Sequence, residues 1–211
     1  MRILLHTCCG PCALYPLKIL RAAGHDLTGF FYNHNIHPYQ EYVRRRDAVI
    51  QMADQEELPL IMQDDYDLEG FLANVAAQPE ERCSYCYASR LRATARTAAE
   101  EGFDAFTASL LYSRYQKHDE IRKLGEQIGD EFGVAFFYQD FRPGWQEGIK
   151  LSKDAGLYRQ QYCGCIYSEK ERYMPKAKRP SDSLKSLAGI WKGRDISLEG
   201  IREKTWKRPR T

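Results

Sequence analysis

Short apolar runs alternate with stretches of helical period along most of this 211-residue chain. Arg2–His6 (RILLH), Leu27–Tyr32 (LTGFFY), Leu60–Met62, Asp104–Ser109 (DAFTAS) and Val134–Tyr138 (VAFFY) read as buried strands. Between them, Leu14, Leu17 and Leu20 predict a helix over Ala13–Ala23, with Pro16 in its first turn. Tyr42, Arg46, Val49, Ile50 and Ala53 mark one face of a long helix that runs from Pro38 towards Pro59. Tyr85–Glu100, the series Ile121, Leu124, Ile128 and Phe132, and a segment near Trp145–Ala155 read as further helices. This alternation predicts an α/β fold: a Rossmann-like, mostly parallel sheet with helices on both faces. Parallel crossovers are right-handed, so the strand C-termini share one edge, and ligands of open α/β sheets bind there.

The length suits one domain, expected over residues 1–175, with a basic C-terminal extension over 176–211. That extension holds 11 basic and 4 acidic residues, whereas the whole chain is nearly balanced at 31 and 29. Trp191 and Trp206 interleave with its charge, a combination that neutralises phosphates and stacks on bases. A solvated tail whose tryptophans dock on the body is the plainer alternative. No apolar run approaches the roughly 18 residues of a membrane span. The first residues, MRILLHTCCGPC, reach a polar turn too soon for a secretory signal. A cytoplasmic protein that does not engage the membrane is expected.

Seven cysteines fall into three groups: Cys8, Cys9 and Cys12 in HTCCGPC, Cys83 and Cys86 in RCSYCYASR, and Cys163 and Cys165 in QQYCGCIYS. An odd number without an export signal points to metal or redox chemistry in a reducing compartment. Gly10 and Pro11 are expected to keep the first turn irregular, so that adjacent thiols are presented together. The C-x-x-C spacing near a helix start aims two sulfurs at one ion, and the helix N-terminus favours thiolate. With Cys8 and Cys9 as the other donors, four thiolates suit Zn²⁺ or an iron–sulfur cluster. The adjacent pair favours iron–sulfur, because structural zinc ligands usually come as paired knuckles. In C-x-C a disulfide ring is tight and easily reduced, so Cys163 and Cys165 read as an electron store; two more metal ligands fit the spacing equally well. Cys12 reads either as an inert packed thiol or as a ligand to an additional metal.

Other polar residues gather near the predicted strand ends. His34 and His37 stand three apart, but a pair without a third ligand more often caps a loop than binds metal. Arg44, Arg45 and Arg46, like Arg90, Arg92 and Arg96, read as solvated helix faces or as phosphate contacts. Tyr112, Arg114, Tyr115, Gln116 and His118 follow another strand. Amides and aromatics around Arg159, Gln160 and Gln161 suit a flat polar base. The candidate substrate contacts are therefore Asn33, Asn35, His37, Arg45, Tyr115, Arg159, Gln160 and Gln161. A GxGxxG fingerprint, a Walker A sequence and the SGGxDS loop of ATP-cleaving tRNA-modifying enzymes are all absent.

The segments LLHTCCGPC, FYNHNIHPYQEYVRRR, RCSYCYASRL and GLYRQQYCGCIYS together resemble the QueH-type epoxyqueuosine reductases. LYSRYQKHDEIRKLGE and DFRPGWQEGI are similar as well, and the likeness runs to about Glu171. His34 departs from it, standing where the family loop leads us to expect proline. The resemblance implies an oxidoreductase that removes the epoxide oxygen of epoxyqueuosine at the tRNA wobble position, the last step of queuosine formation. It implies a [4Fe–4S] cluster on Cys8, Cys9, Cys83 and Cys86, a redox-active disulfide of Cys163 with Cys165, and no cobalamin. One additional iron is a further expectation, with Cys12 as its candidate ligand. The implied partners are tRNAs with GUN-type anticodons, those for tyrosine, histidine, asparagine and aspartate, and an unidentified electron donor. The rival readings are a tRNA sulfur-transfer enzyme on the same sheet and a zinc-stabilised RNA-binding module.

Overall fold

Five strands, β1 (Arg2–His6), β2 (Asp26–Phe31), β3 (Leu60–Met62), β4 (Ala105–Ala108) and β5 (Ala135–Phe136), lie side by side in the order β3-β2-β1-β4-β5. Every pairing is parallel, with Leu5 opposite both Gly29 of β2 and Thr107 of β4. The computed structural model describes residues 1–175, and Met1–Tyr173 form one unit. The basic segment 176–211, with Trp191 and Trp206, lies outside the described residues. Ile3, Leu4 and Leu5 are wholly buried, as a central parallel strand covered on both faces requires.

The helices are α1 (Gly10–Ala22), α2 (Tyr39–Gln55), α3 (Leu68–Val75), α4 (Arg82–Glu100), α5 (His118–Phe132), α6 (Trp145–Asp154) and α7 (Ile166–Tyr173). Helix α1 packs on α2 and α6, and α4 packs on α5. With this strand order, right-handed crossovers put those two groups on opposite faces. The α/β class, the parallel sheet and the strand centres therefore match the expectation. From β1 successive strands are added to one side and from β4 to the other, so the loops that follow these two neighbours diverge and open a crevice between them.

Several local expectations are corrected. Helix α1 begins at Gly10, not Ala13: Cys9 is its N-cap, and Pro11, which pre-sets a helical φ, lies in the first turn. Gly10 and Pro11 are thus helical rather than irregular, and Pro16 sits inside the helix. Helix α2 buries Tyr42, Arg45, Ala48, Val49, Met52 and Ala53, whereas Ile50 is 47% exposed. The expected face is rotated because one of its buried positions is an arginine. Strand β5 covers only two residues; beyond it the chain leaves the sheet and sets the Tyr138 hydroxyl 3.1 Å from His118 Nε2. Helices α3 and α7 were not anticipated, since eight residues carry little periodicity.

Candidate metal and redox centre at the sheet edge

Beyond β1, Thr7 donates its N–H to the Phe30 carbonyl at 2.8 Å and turns the chain towards α1. Cys8 follows, its N–H 3.4 Å from Ser109 Oγ at the end of β4. The Cys8 and Cys9 sulfurs are 3.9 Å apart, and the sulfurs of Cys8, Cys9 and Cys12 all lie within 4.8 Å of one another. Gly10 is required here, because a Cβ would stand 2.4 Å from the Ala48 carbonyl oxygen. Its absence lets the start of α1 press against α2. Hydrogen bonds from Cys12 and Cys9 hold the Cys8 thiol well below its ordinary pKa, while burial pushes Cys9 well up. The Cys8 partner raises Cys12. A cation bound by the three would replace their protons.

Helix α4 carries Cys83 and Cys86 in its first turns. Burial raises both thiols, Cys86 to about 12. Arg90, one turn on and 2% exposed, donates Nη2 to Cys86 Sγ at 3.0 Å and Nε to the Cys86 carbonyl at 3.0 Å. Burial opposes the charge of Arg90, and the Cys86 sulfur beside it favours that charge. No carboxylate pairs with it among the described residues. Cys86 and Cys165 also share an apolar cluster with Phe71 and Val75.

The C-x-C loop is gripped from α2. Arg45, 1% exposed, donates Nη1 to the Cys163 carbonyl at 2.7 Å and Nη2 to the Tyr162 carbonyl at 2.9 Å. Its Nε donates to Glu41 at 2.8 Å, and Tyr158 donates its hydroxyl to the other Glu41 oxygen at 2.5 Å. The Tyr162 hydroxyl reaches the His37 carbonyl at 2.6 Å, and His37 N–H donates to the Gly164 carbonyl at 2.9 Å. Gly164 has φ +151°, and a Cβ there would meet Arg45 Nη1 at 3.3 Å. Cys163 is exposed and Cys165 buried, and both thiols are free, so the expected disulfide is not formed in this structure. Two side-chain amides point at sulfur: Gln116 Nε2 lies 3.4 Å from Cys163 Sγ, and Gln160 Nε2 lies 3.2 Å from Cys12 Sγ.

The loop after β2 is buried at each of its polar side chains. Asn33 donates Nδ2 to the Thr7 carbonyl at 2.9 Å; its Oδ1, the Oδ1 of Asn35 and both ring nitrogens of His34 and His37 have no partner. Burial lowers both histidines to about 4. His34 packs among Tyr32, Phe71 and Tyr85, and His37 against Phe71 and Tyr66. Neither joins a group of three metal-binding side chains; among the described residues only Cys8, Cys9 and Cys12 form one.

Of the expected substrate contacts, Asn33, Asn35 and His37 therefore line the buried loop, and Gln160 touches a thiol. Arg159 is half-buried near Tyr112, whereas Gln161 and Tyr115 are exposed. Arg45 does not face phosphate: all its hydrogen bonds go to Glu41 and the C-x-C loop. Arg90 is likewise neither solvated nor at the surface. Its role was hidden, although Cys86 and Arg90, like Glu41 and Arg45, have the i,i+4 spacing that makes helical neighbours.

A parallel α/β sheet with cysteines from three distant stretches gathered at its C-terminal edge defines a thiol-rich metal or redox protein. The family model for "Epoxyqueuosine reductase QueH" matches residues 3–171, and the chain belongs to that family of oxidoreductases. An epoxyqueuosine reductase of Dehalococcoides mccartyi is 37% identical over 172 residues, covering 82% of this chain and 94% of that one. One from Thermotoga maritima is 36% identical over 180 residues, covering 81% and 91%. Among solved structures, a predicted subunit of a tRNA methyltransferase from Methanocaldococcus jannaschii aligns with TM-score 0.53 at 13% identity, over 84% of this chain and 94% of that one. That likeness shows the fold alone. No helix among the described residues is long and apolar enough to cross a membrane.

Proposed function

We propose that this chain reduces epoxyqueuosine at the wobble position of tRNA to queuosine, on a [4Fe–4S] cluster held by Cys8, Cys9, Cys83 and Cys86. The tRNAs are those with GUN-type anticodons. The observation that carries the reading is Arg90, a buried cation with no carboxylate partner among the described residues, donating to Cys86 Sγ. A buried charge costs several kcal/mol unless compensated. Four thiolates around iron would carry net negative charge and provide that compensation, which supports the reading. The crowded sulfurs of Cys8, Cys9 and Cys12 leave one thiol beyond the four ligands, and Cys12 is the candidate to hold an additional iron.

The net reaction takes two electrons and two protons, releases the epoxide oxygen as water and leaves an alkene. When bound, the metal centre supplies single-electron transfer and a Lewis acid for the departing oxygen. Cys163 and Cys165 hold the matching complement: closing their disulfide yields two electrons and two protons. The Arg45 grip holds that pair beside Cys86. Gln116, on Cys163, and Gln160, on Cys12, offer amides to the edge of a base entering from solvent. An anticodon base is already single-stranded, so turning it into the crevice needs no duplex opening.

Anaerobic incubation with epoxyqueuosine-containing tRNA and a chemical reductant, followed by nucleoside mass analysis, tests the reading. Cys83→Ala is expected to abolish both cluster absorbance and turnover. Cys163→Ala is expected to keep the absorbance and lose turnover. Full conversion by either variant defeats the assignment.

A further inference from the structure

We infer that Tyr115, backed by Trp145 and Arg114, is a stacking platform for the nucleotide beside the one that enters the thiol crevice. The inference rests on the tRNA reading above and deepens it. The loop between β4 and α5 is pinned almost throughout. Tyr112 donates its hydroxyl to the Trp145 carbonyl at 2.8 Å and stacks on that indole at 5.2 Å. Gln116 Oε1 accepts the Tyr87 hydroxyl at 2.8 Å, and Tyr87 in turn accepts the Lys117 N–H at 3.2 Å. Gly148 makes room for this packing, since a Cβ there would stand 2.2 Å from the Tyr112 hydroxyl.

On this rigid loop Tyr115 is 85% exposed, the most exposed large apolar residue among the described ones; Met174 follows at 57%. Its ring stands nearly perpendicular to Trp145, with centroids 5.6 Å apart, and most of its surface is open to solvent. Arg114 lies over the same indole at 5.9 Å, bringing a cation beside the exposed ring. An open aromatic face with an adjacent cation suits single-stranded nucleic acid, whose bases stack and whose phosphates are anionic. The neighbouring residue, Gln116, touches Cys163 Sγ. Tyr115 therefore stands one residue outside the crevice, where a flanking nucleotide passes.

The test is fluorescence anisotropy with a labelled anticodon stem-loop carrying unmodified guanine at the wobble position, titrated with cluster-loaded protein. Tyr115→Ala is expected to weaken binding about 5- to 100-fold, the loss of one stacked base, and Tyr115→Phe to stay within about threefold of wild type. Unchanged cluster absorbance and circular dichroism confirm that each variant is folded. Equal affinity of Tyr115→Ala and wild type overturns the platform while wild-type turnover on tRNA keeps the reductase reading. A wild type that neither binds the stem-loop nor converts tRNA overturns both.

Discussion

Arg90 and the two buried histidines show how single residues make this edge dependent on its surroundings. Arg90→Met keeps volume and removes the cation that faces the sulfurs. As a group supporting the ligands from behind, it is expected to weaken iron retention about 10- to 100-fold, measured against a chelator series. His34 and His37 act through pH. Their folded pKa values are about 4 against an ordinary 6.5, so between those values only the unfolded chain takes up their protons. Their contribution to stability is fully present above pH 6.5 and is lost as pH falls towards 4. Thermal midpoints recorded across that window are expected to drop, and less steeply for His34→Phe. The placement of the cysteine groups and of Asn33, Asn35 and His37 at the strand ends was legible, because residue type and loop position are written in the sequence. The burial of Arg45 and Arg90 was not legible, since a charged residue advertises solvent.

Among the elements, α2 links sheet and redox loop. The Glu41–Arg45 pair lies on its buried face and reaches the carbonyls of Tyr162 and Cys163. Arg45→Met leaves Glu41 buried without its cation, a loss of about 3–5 kcal/mol. Urea unfolding measures the cost, and faster hydrogen exchange over residues 162–166 is expected to show the loop released. Strands β1 to β4 could be read from the sequence because each is a bare apolar run. The start of α1 could not, because Gly-Pro reads equally as a turn and as a helical first turn. The phase of α2 was hidden by the same buried arginine, and α3 and α7 are too short for their pattern to stand out.

At the scale of the whole molecule, the order β3-β2-β1-β4-β5 gathers the cysteine-bearing loops, and that much follows from alternation plus right-handed crossovers. The precise meeting of three cysteine groups does not, because contacts between residues more than 70 positions apart leave no local trace. Those groups lie at the start of α1, at the start of α4 and in the loop before α7, so the proposed metal centre, held by the first two, would tie together both halves of the sheet. Loading is expected to raise the thermal midpoint by several degrees, and air oxidation or chelation to reverse the gain, as calorimetry under anaerobic conditions will show.

The C-x-C tripeptide also has a direction. One glycine separates an exposed cysteine from one lodged beside Phe71 and Val75, and Arg45 holds the carbonyl of the outer residue. Such a step has an outer and an inner landing. If the pair cycles through a disulfide as proposed, a bulky thiol reductant would attack the outer sulfur and release the inner one as a thiol.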